Sequence, residues 1–173
     1  VSQDIEGRIA ALAPLLQGDE RAFDRGAEAL RAFDLDHPQD AFVQYLIGGA
    51  YDSCGREALA MAHYERVFAL GVDALPPHRR PELHVQAGST LRNLGLFERA
   101  RDVFAMGIAK YPDYGALRVF AAMLETSAGD DAAAARHLYA FALMREDGSI
   151  DRFRRSLTWY IGEILKQPGG ADA

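Results

Sequence analysis

Apolar residues recur along this chain every three or four positions, in runs separated by glycine, proline or aspartate. Ile5, Ile9, Leu12 and Leu16 form one such run, Gly18-Asp19 interrupts it, and Phe23, Ala27, Leu30 and Phe33 form the next. This spacing predicts a helical hairpin over 1–36. Pro14 lies inside its first helix, where it removes a backbone bond and crowds the preceding turn, so a kink is expected there. His37-Pro38 forces an extended step. Phe42, Tyr45, Leu46, Ile47 and Ala50 then spread around a helix that must lie between layers. Gly55 ends that helix, and Ala60, Tyr64, Val67 and Phe68 give a partner, so a second pair spans 39–72.

The third pair, 81–112, is the best formed. Gly88 and Leu91 sit on its first helix, Gly95 in the turn, Phe97, Ala100, Phe104 and Ile108 on its second, and Pro112 ends it. Gly48, Tyr51, Gly55, Ala60 and Tyr64 match Gly88, Leu91, Gly95, Ala100 and Phe104 at an offset of forty (95 minus 55). The offset from Gly95 to Gly129 is thirty-four, which places a fourth pair over 113–146 with Ala122, Ala134, Leu138, Phe141 and Ala142 at equivalent places. That pair carries Glu125 where its predecessors carry Tyr51 and Leu91. The extra six residues fall in 71–80, where Pro76-Pro77 excludes a continuous helix and Pro81 can begin the next one. This loop is either an edge element over a groove or a tolerated insertion. A last helix, 149–166, is expected to turn Phe153, Leu157, Tyr160, Ile161, Ile164 and Leu165 toward the array as a cap, and 168–173 reads as a disordered tail.

A thirty-four-residue period of helix pairs is the mark of a tetratricopeptide repeat. The run Ser89-Thr90-Leu91-Arg92-Asn93-Leu94-Gly95, with Arg154-Arg155-Ser156-Leu157 and Tyr160, resembles the bacterial proteins grouped as tetratricopeptide repeat group 5, over roughly 41–160. The first thirty-five or so residues lie outside it. The resemblance implies an all-α, right-handed superhelix of antiparallel helix pairs with a C-terminal capping helix, forming one solenoid domain over 1–167. It brings an interaction scaffold with no catalytic residues, in which the first helices of successive pairs line the concave face.

Counted on that register, the concave positions are Phe42, Tyr45, Gly49 and Asp52 in the second pair. They are Glu82, Val85, Gln86, Ser89, Arg92 and Asn93 in the third, and Ala116, Val119, Phe120, Met123 and Thr126 in the fourth. Phe42, Tyr45, Asp52, Gln86, Ser89, Arg92, Asn93, Val119 and Met123 form the candidate peptide-binding groove. Phe42, Tyr45 and Phe120 could equally complete the packing between pairs. The two-carboxylate clamp of the best-known repeat proteins is absent, because Tyr45, Gly49 and Val119 stand where it needs cations or amides. Arg92-Asn93 offers donors to one carboxylate or backbone amide, or an internal bond to a neighbouring pair.

Composition narrows the chemistry. The 173 residues are 49% apolar and 25% charged, with no apolar run near the roughly 20 residues a membrane span needs. A net charge of −6 argues against nucleic acid as partner. The one cysteine, Cys54, cannot bridge internally, and no leader pattern precedes it, although the sequence begins at Val1; a cytoplasmic protein is expected. His37, His63, His78, His84 and His137 are scattered without metal-ligand spacing and are expected at the surface. No phosphate loop, nucleophile elbow or metalloprotease helix occurs. Arg145, Arg152, Arg154 and Arg155 make a small basic cluster, fit for an acidic partner or for covering the last helix with their stems. The expected function is a non-enzymatic adaptor that binds a peptide or protein segment, with no cofactor or metal. A self-assembling homodimer is the alternative, and a ligand sensor or enzyme beneath the 71–80 loop ranks below both.

Overall fold

The computed structural model describes residues 2–144 and 148–164, and among these the regular structure is helical throughout. The helices are α1 (Ser2–Ala10), α2 (Ala13–Leu16), α3 (Glu20–Asp36), α4 (Ala41–Asp52), α5 (Glu57–Leu70), α6 (Arg79–Asn93), α7 (Phe97–Lys110), α8 (Gly115–Ala128), α9 (Asp131–Met144), α10 (Gly148–Asp151) and α11 (Arg154–Ile164). They divide into two compact units, Val1–Leu96 and Phe97–Ala173. The all-α helix-pair architecture is the expected one.

The repeat register is written in the turns. Gly55, Gly95 and Gly129 have φ of 70°, 73° and 81°, a left-handed conformation that residues with a Cβ adopt at a cost. After each, the chain makes the same bond back across the helix end: Arg56 N–H to the Tyr51 carbonyl (3.0 Å), Leu96 to Leu91 (2.9 Å) and Asp130 to Glu125 (2.9 Å). Such a bond, six residues back to one, satisfies a carbonyl that the helix end would leave unpaired.

In the first unit the expected kink at Pro14 is a full break. Leu12 and Leu15 bond back only three residues, and α2 restarts with Pro14 in its first turn, where no N–H is required. Asp19 caps α3 by accepting from Ala22 N–H (2.9 Å), and Asp40 caps α4 by accepting from Phe42 and Val43. Ile5, Ile9 and Leu16 are buried as their spacing requires, with Leu30, Val43, Ile47, Tyr64 and Val67 forming the deep core. α4 and α5 approach closely at Gly48, where an added Cβ would lie 2.6 Å from the Tyr64 ring.

Gln44, a fully buried polar residue of that core, is hydrogen-bonded through both polar atoms of its amide. Gln44 Nε2 donates to Asp34 Oδ1 (2.9 Å) and its Oε1 accepts from His63 Nδ1 (2.8 Å), which fixes the tautomer of His63. Arg66 closes the network by donating to Asp34 and to the Pro38 carbonyl. Burial would push the Asp34 carboxyl up, but the hydrogen bonds from Gln44 and Arg66 hold it below the usual carboxylate value.

The 71–80 connection is built rather than slack. Val72–Ala74 forms a 3-10 turn, Leu75 is 1% exposed, and Arg80 donates to the Leu75 and Asp73 carbonyls at 2.9 Å each. Two expectations about histidines need correction here. His84 is buried (3% exposed), with its ring edge-on to Phe68 and Nδ1 3.0 Å from the Arg80 carbonyl, and His63 is half-buried against Tyr51. Both lie on inward-facing stripes, where an aromatic neighbour accepts the ring.

In the second unit, Ala100 and Ala134 are buried as Ala60 is in the first. Glu125, the odd residue of the fourth pair, is 6% exposed and clasped by Arg101, whose Nε and Nη2 donate to the two carboxylate oxygens at 2.8–3.0 Å. An ion pair thus links α7 to α8 at a position filled by Tyr51 and Leu91 in the earlier pairs. Arg101→Ala should lower the melting temperature by several degrees, because it strands a buried carboxylate, and adding Glu125→Leu should restore most of the loss. Thermal unfolding of the single and double variants checks this; no recovery in the double would mean the pair does not matter.

Two apolar expectations fail in this unit. Leu138, equivalent to Tyr64 and Phe104, is 47% exposed, and in α9 the buried residue is Ala134. The last helix is not one rod: it is interrupted at Arg152-Phe153, so the apolar stripe shifts, and Phe153 and Leu157 are exposed (55% and 37%) rather than turned to the array. Arg154 is bound to Asp151 and to the Leu143 carbonyl. The expected inward side chains of Tyr160, Ile161, Ile164 and Leu165, the basic Arg145 and the tail at 168–173 lie outside the described residues.

Candidate functional site

The first unit holds a cavity of about 300 Å³ with a consistent origin: its walls come from α1, α2, α4 with its C-terminal Ser53, and α6. These are the first helices of three successive pairs. Ile9, Leu16, Leu46 and Ala50 make its floor apolar, and Gly49 leaves that floor open. A Cβ added at Gly49 would come no nearer than 4.0 Å to a neighbouring side chain, the Tyr64 hydroxyl.

One end is polar and held in place by charge. Arg79 donates through Nη2 to Glu6 Oε1 and through Nη1 to Glu82 Oε2, both at 2.8 Å. Tyr45 donates its hydroxyl to the same Glu82 oxygen (3.1 Å), and the guanidinium lies 5.9 Å from the Tyr45 ring centroid. Tyr45 is 3% exposed; burial first, and then the charge of Glu82, raise its pKa, so it stays a donor. Behind it Phe42 stacks at 6.4 Å, and Tyr64 donates to Gln86 Oε1 (3.2 Å). Arg79 Nε is buried without a hydrogen-bond partner. Two carboxylates face one guanidinium, so this end carries a net negative charge.

The residues singled out from sequence are distributed as follows. Tyr45, Gly49 and Gln86 line the cavity, whereas Phe42, Asp52, Ser89, Arg92 and Asn93 do not. Asp52 accepts from the Thr90 hydroxyl (2.9 Å), and burial raises its carboxyl despite that bond. Thr90 is fully buried, which explains a threonine in the Ser89 to Gly95 run that helix packing does not demand. Ser89 Oγ is buried without a hydrogen-bond partner. Arg92 Nη2 donates to Asn93 Oδ1 (3.0 Å), next to it at the end of α6. Val119, half-buried, and Met123, 43% exposed, belong to α8 in the second unit. Sequence reasoning missed Glu6, Ile9, Leu16 and Arg79, which come from the first hairpin and the long connection. The helical spacing of Ile9 and Leu16 was a signal that their helix faced α4; nothing local marked Glu6 or Arg79.

Other chemistry is sparse. The Cys54 thiol donates to the Tyr51 carbonyl (3.1 Å) and burial pushes its pKa up, which leaves it a weak nucleophile at neutral pH. Among the described residues no group of three or more histidine, cysteine, aspartate or glutamate side chains is placed to hold a metal. Nor is any described helix long and apolar enough to cross a membrane.

A family model described as tetratrico peptide repeat matches residues 38–164. No curated protein and no solved structure matches the chain. With the thirty-four-residue period, the three equivalent glycine turns and a match over most of its length, the chain belongs to the tetratrico peptide repeat family.

Proposed function

We propose that the protein is a non-enzymatic adaptor whose first unit binds a peptide or protein segment in the groove between α1–α2, α4 and α6. Proteins of this family generally mediate protein–protein interactions. The observation that carries the reading is the origin of the cavity: every wall comes from the first helix of a pair, the face such repeats present to partners, with an apolar floor for an anchoring side chain and fixed polar groups at one end. Cys54, with no second cysteine to bridge to, fits a reducing compartment, and we place the protein in the cytoplasm.

A photo-crosslinking residue at Ala50 in the full chain, expressed in its host, tests the groove. It should capture one discrete partner, while the same residue at Met106, exposed on α7, should not. Capture at Met106 and not at Ala50 would overturn the assignment. Arg92 and Asn93 extend the proposed contact beyond the cavity: Arg92→Ala should cost roughly 2 kcal/mol of partner binding while leaving the melting temperature unchanged. Reduced stability with unchanged affinity would make Arg92 a structural brace instead.

A further inference from the structure

The groove has a candidate occupant within the chain itself. Around the start of α11 the described large apolar side chains are exposed, Trp159 on the helix to 61% and Phe153, just before it, to 55%. Arg155 and Trp159 are four residues apart, hence on one side of the helix and one turn from each other, and both border a shallow hollow on its surface. Arg152 adds a second exposed guanidinium just before the helix. This segment is therefore basic and aromatic in a chain whose net charge is −6.

The groove of the first unit is its complement in each respect. Its apolar cavity of about 300 Å³ has room for one aromatic side chain, and its polar end sets Glu6 and Glu82 against the single cation Arg79. Glu6 and Glu82 each give only one oxygen to Arg79, and their side chains are 38% and 30% exposed, so a second guanidinium can reach them. General repulsion between two chains of charge −6 disfavours self-association, and it is relieved where a basic helix meets an acidic rim.

Resting on the groove reading above, we propose that the groove of one copy takes α11 of a second copy, with the Trp159 indole on the apolar floor and Arg155 at Glu6 and Glu82. The two surfaces differ, so the contact is heterologous: a pair of copies joined by one such contact still holds one groove and one α11 outside it. Association then continues beyond a dimer unless the ring closes.

Trp159 is the only tryptophan in the chain, so its emission reports the contact directly. Sedimentation velocity on the full chain should show mass rising with concentration, with a parallel blue shift of the emission. Both should weaken as salt is added. Trp159→Ala and Gly49→Leu should each be monomeric alone, the first lacking the anchor and the second having a filled groove. Mixed, they should form a one-to-one heterodimer that grows no further. Glu6→Gln with Glu82→Gln should weaken association by about tenfold, the change that loss of two partly screened ion pairs produces. Arg155→Glu, a change at an exposed position, should do the same without touching the groove.

A parent chain that stays monomeric at all concentrations, a Trp159→Ala variant that still associates, or a mixture of the two variants that remains monomeric would each overturn the proposal. Capture of a different partner at Ala50 in that case would leave the groove reading standing and remove only the second copy as its occupant.

Discussion

Tyr64→Ala should destabilise the protein by about 3–5 kcal/mol, the loss typical of truncating a fully buried aromatic side chain. Tyr64 has no exposed surface, its ring fills the α4–α5 interface against Gly48, and its hydroxyl holds Gln86 at the groove wall. Gly48→Ala attacks the same contact from the other side. Its Cβ would stand 2.6 Å and 2.8 Å from two ring carbons, so the helices must separate or the ring must turn, at a cost of about 1–3 kcal/mol. The two losses should not add. Once the ring is gone, the three nearest atoms that the alanine at 48 would meet go with it, and the alanine gains the helix preference that glycine lacks, roughly 0.5–1 kcal/mol. Urea unfolding of the two single variants and the double gives the coupling, and additive losses would mean that Gly48 and Tyr64 do not touch.

Gly49→Leu, one residue along, should have the opposite character. Gly49 lines the cavity, and a Cβ there meets only the Tyr64 hydroxyl, at an ordinary 4.0 Å, so a leucine should be tolerated by the fold and occupy the volume a bound side chain needs. Stability should stay level or rise by roughly 0.5–1 kcal/mol, since a helical glycine is replaced. Partner capture in the groove should fall by at least about tenfold, equivalent to about 1.4 kcal/mol. Calorimetric melting and crosslinking yield on the same variant separate the two effects. Undiminished capture by a well-folded Gly49→Leu protein would place the binding surface elsewhere. Adjacent glycines in one helix thus divide the labour: Gly48 admits the neighbouring helix, and Gly49 keeps the cavity floor open for the proposed occupant.

The repeat architecture was legible because it is local. A left-handed turn needs glycine at a fixed place after each first helix, so Gly55, Gly95 and Gly129 announce the register whatever the surrounding side chains do. Ala60, Ala100 and Ala134, a fixed distance further on, are buried in turn. Glu125 looked like decay of the pattern because its compensation, Arg101, is twenty-four residues away on another helix. The candidate site was legible only in part for the same reason. Tyr45, Gly49 and Gln86 follow from helical phase within the recognised repeats. The polar end, however, depends on Arg79 meeting Glu6, seventy-three positions earlier and before the region that resembles the family. Pairings of that separation leave no periodic trace. His84 was misplaced at the surface because composition alone assigns histidine there, whereas the stripe it occupies on α6 runs with Leu83, Ala87 and Leu91 into the core.

The long connection before α6 has a consequence for how copies of this chain can associate. In domain swapping, a connecting segment opens and lends one part of the fold to another molecule. Here Leu75 is inserted into the core and Arg80 is bonded back to the Leu75 and Asp73 carbonyls, so opening would expose a leucine, at a cost of about 1.5–3 kcal/mol, and release both bonds. The segment works as a latch that keeps successive pairs on their own chain.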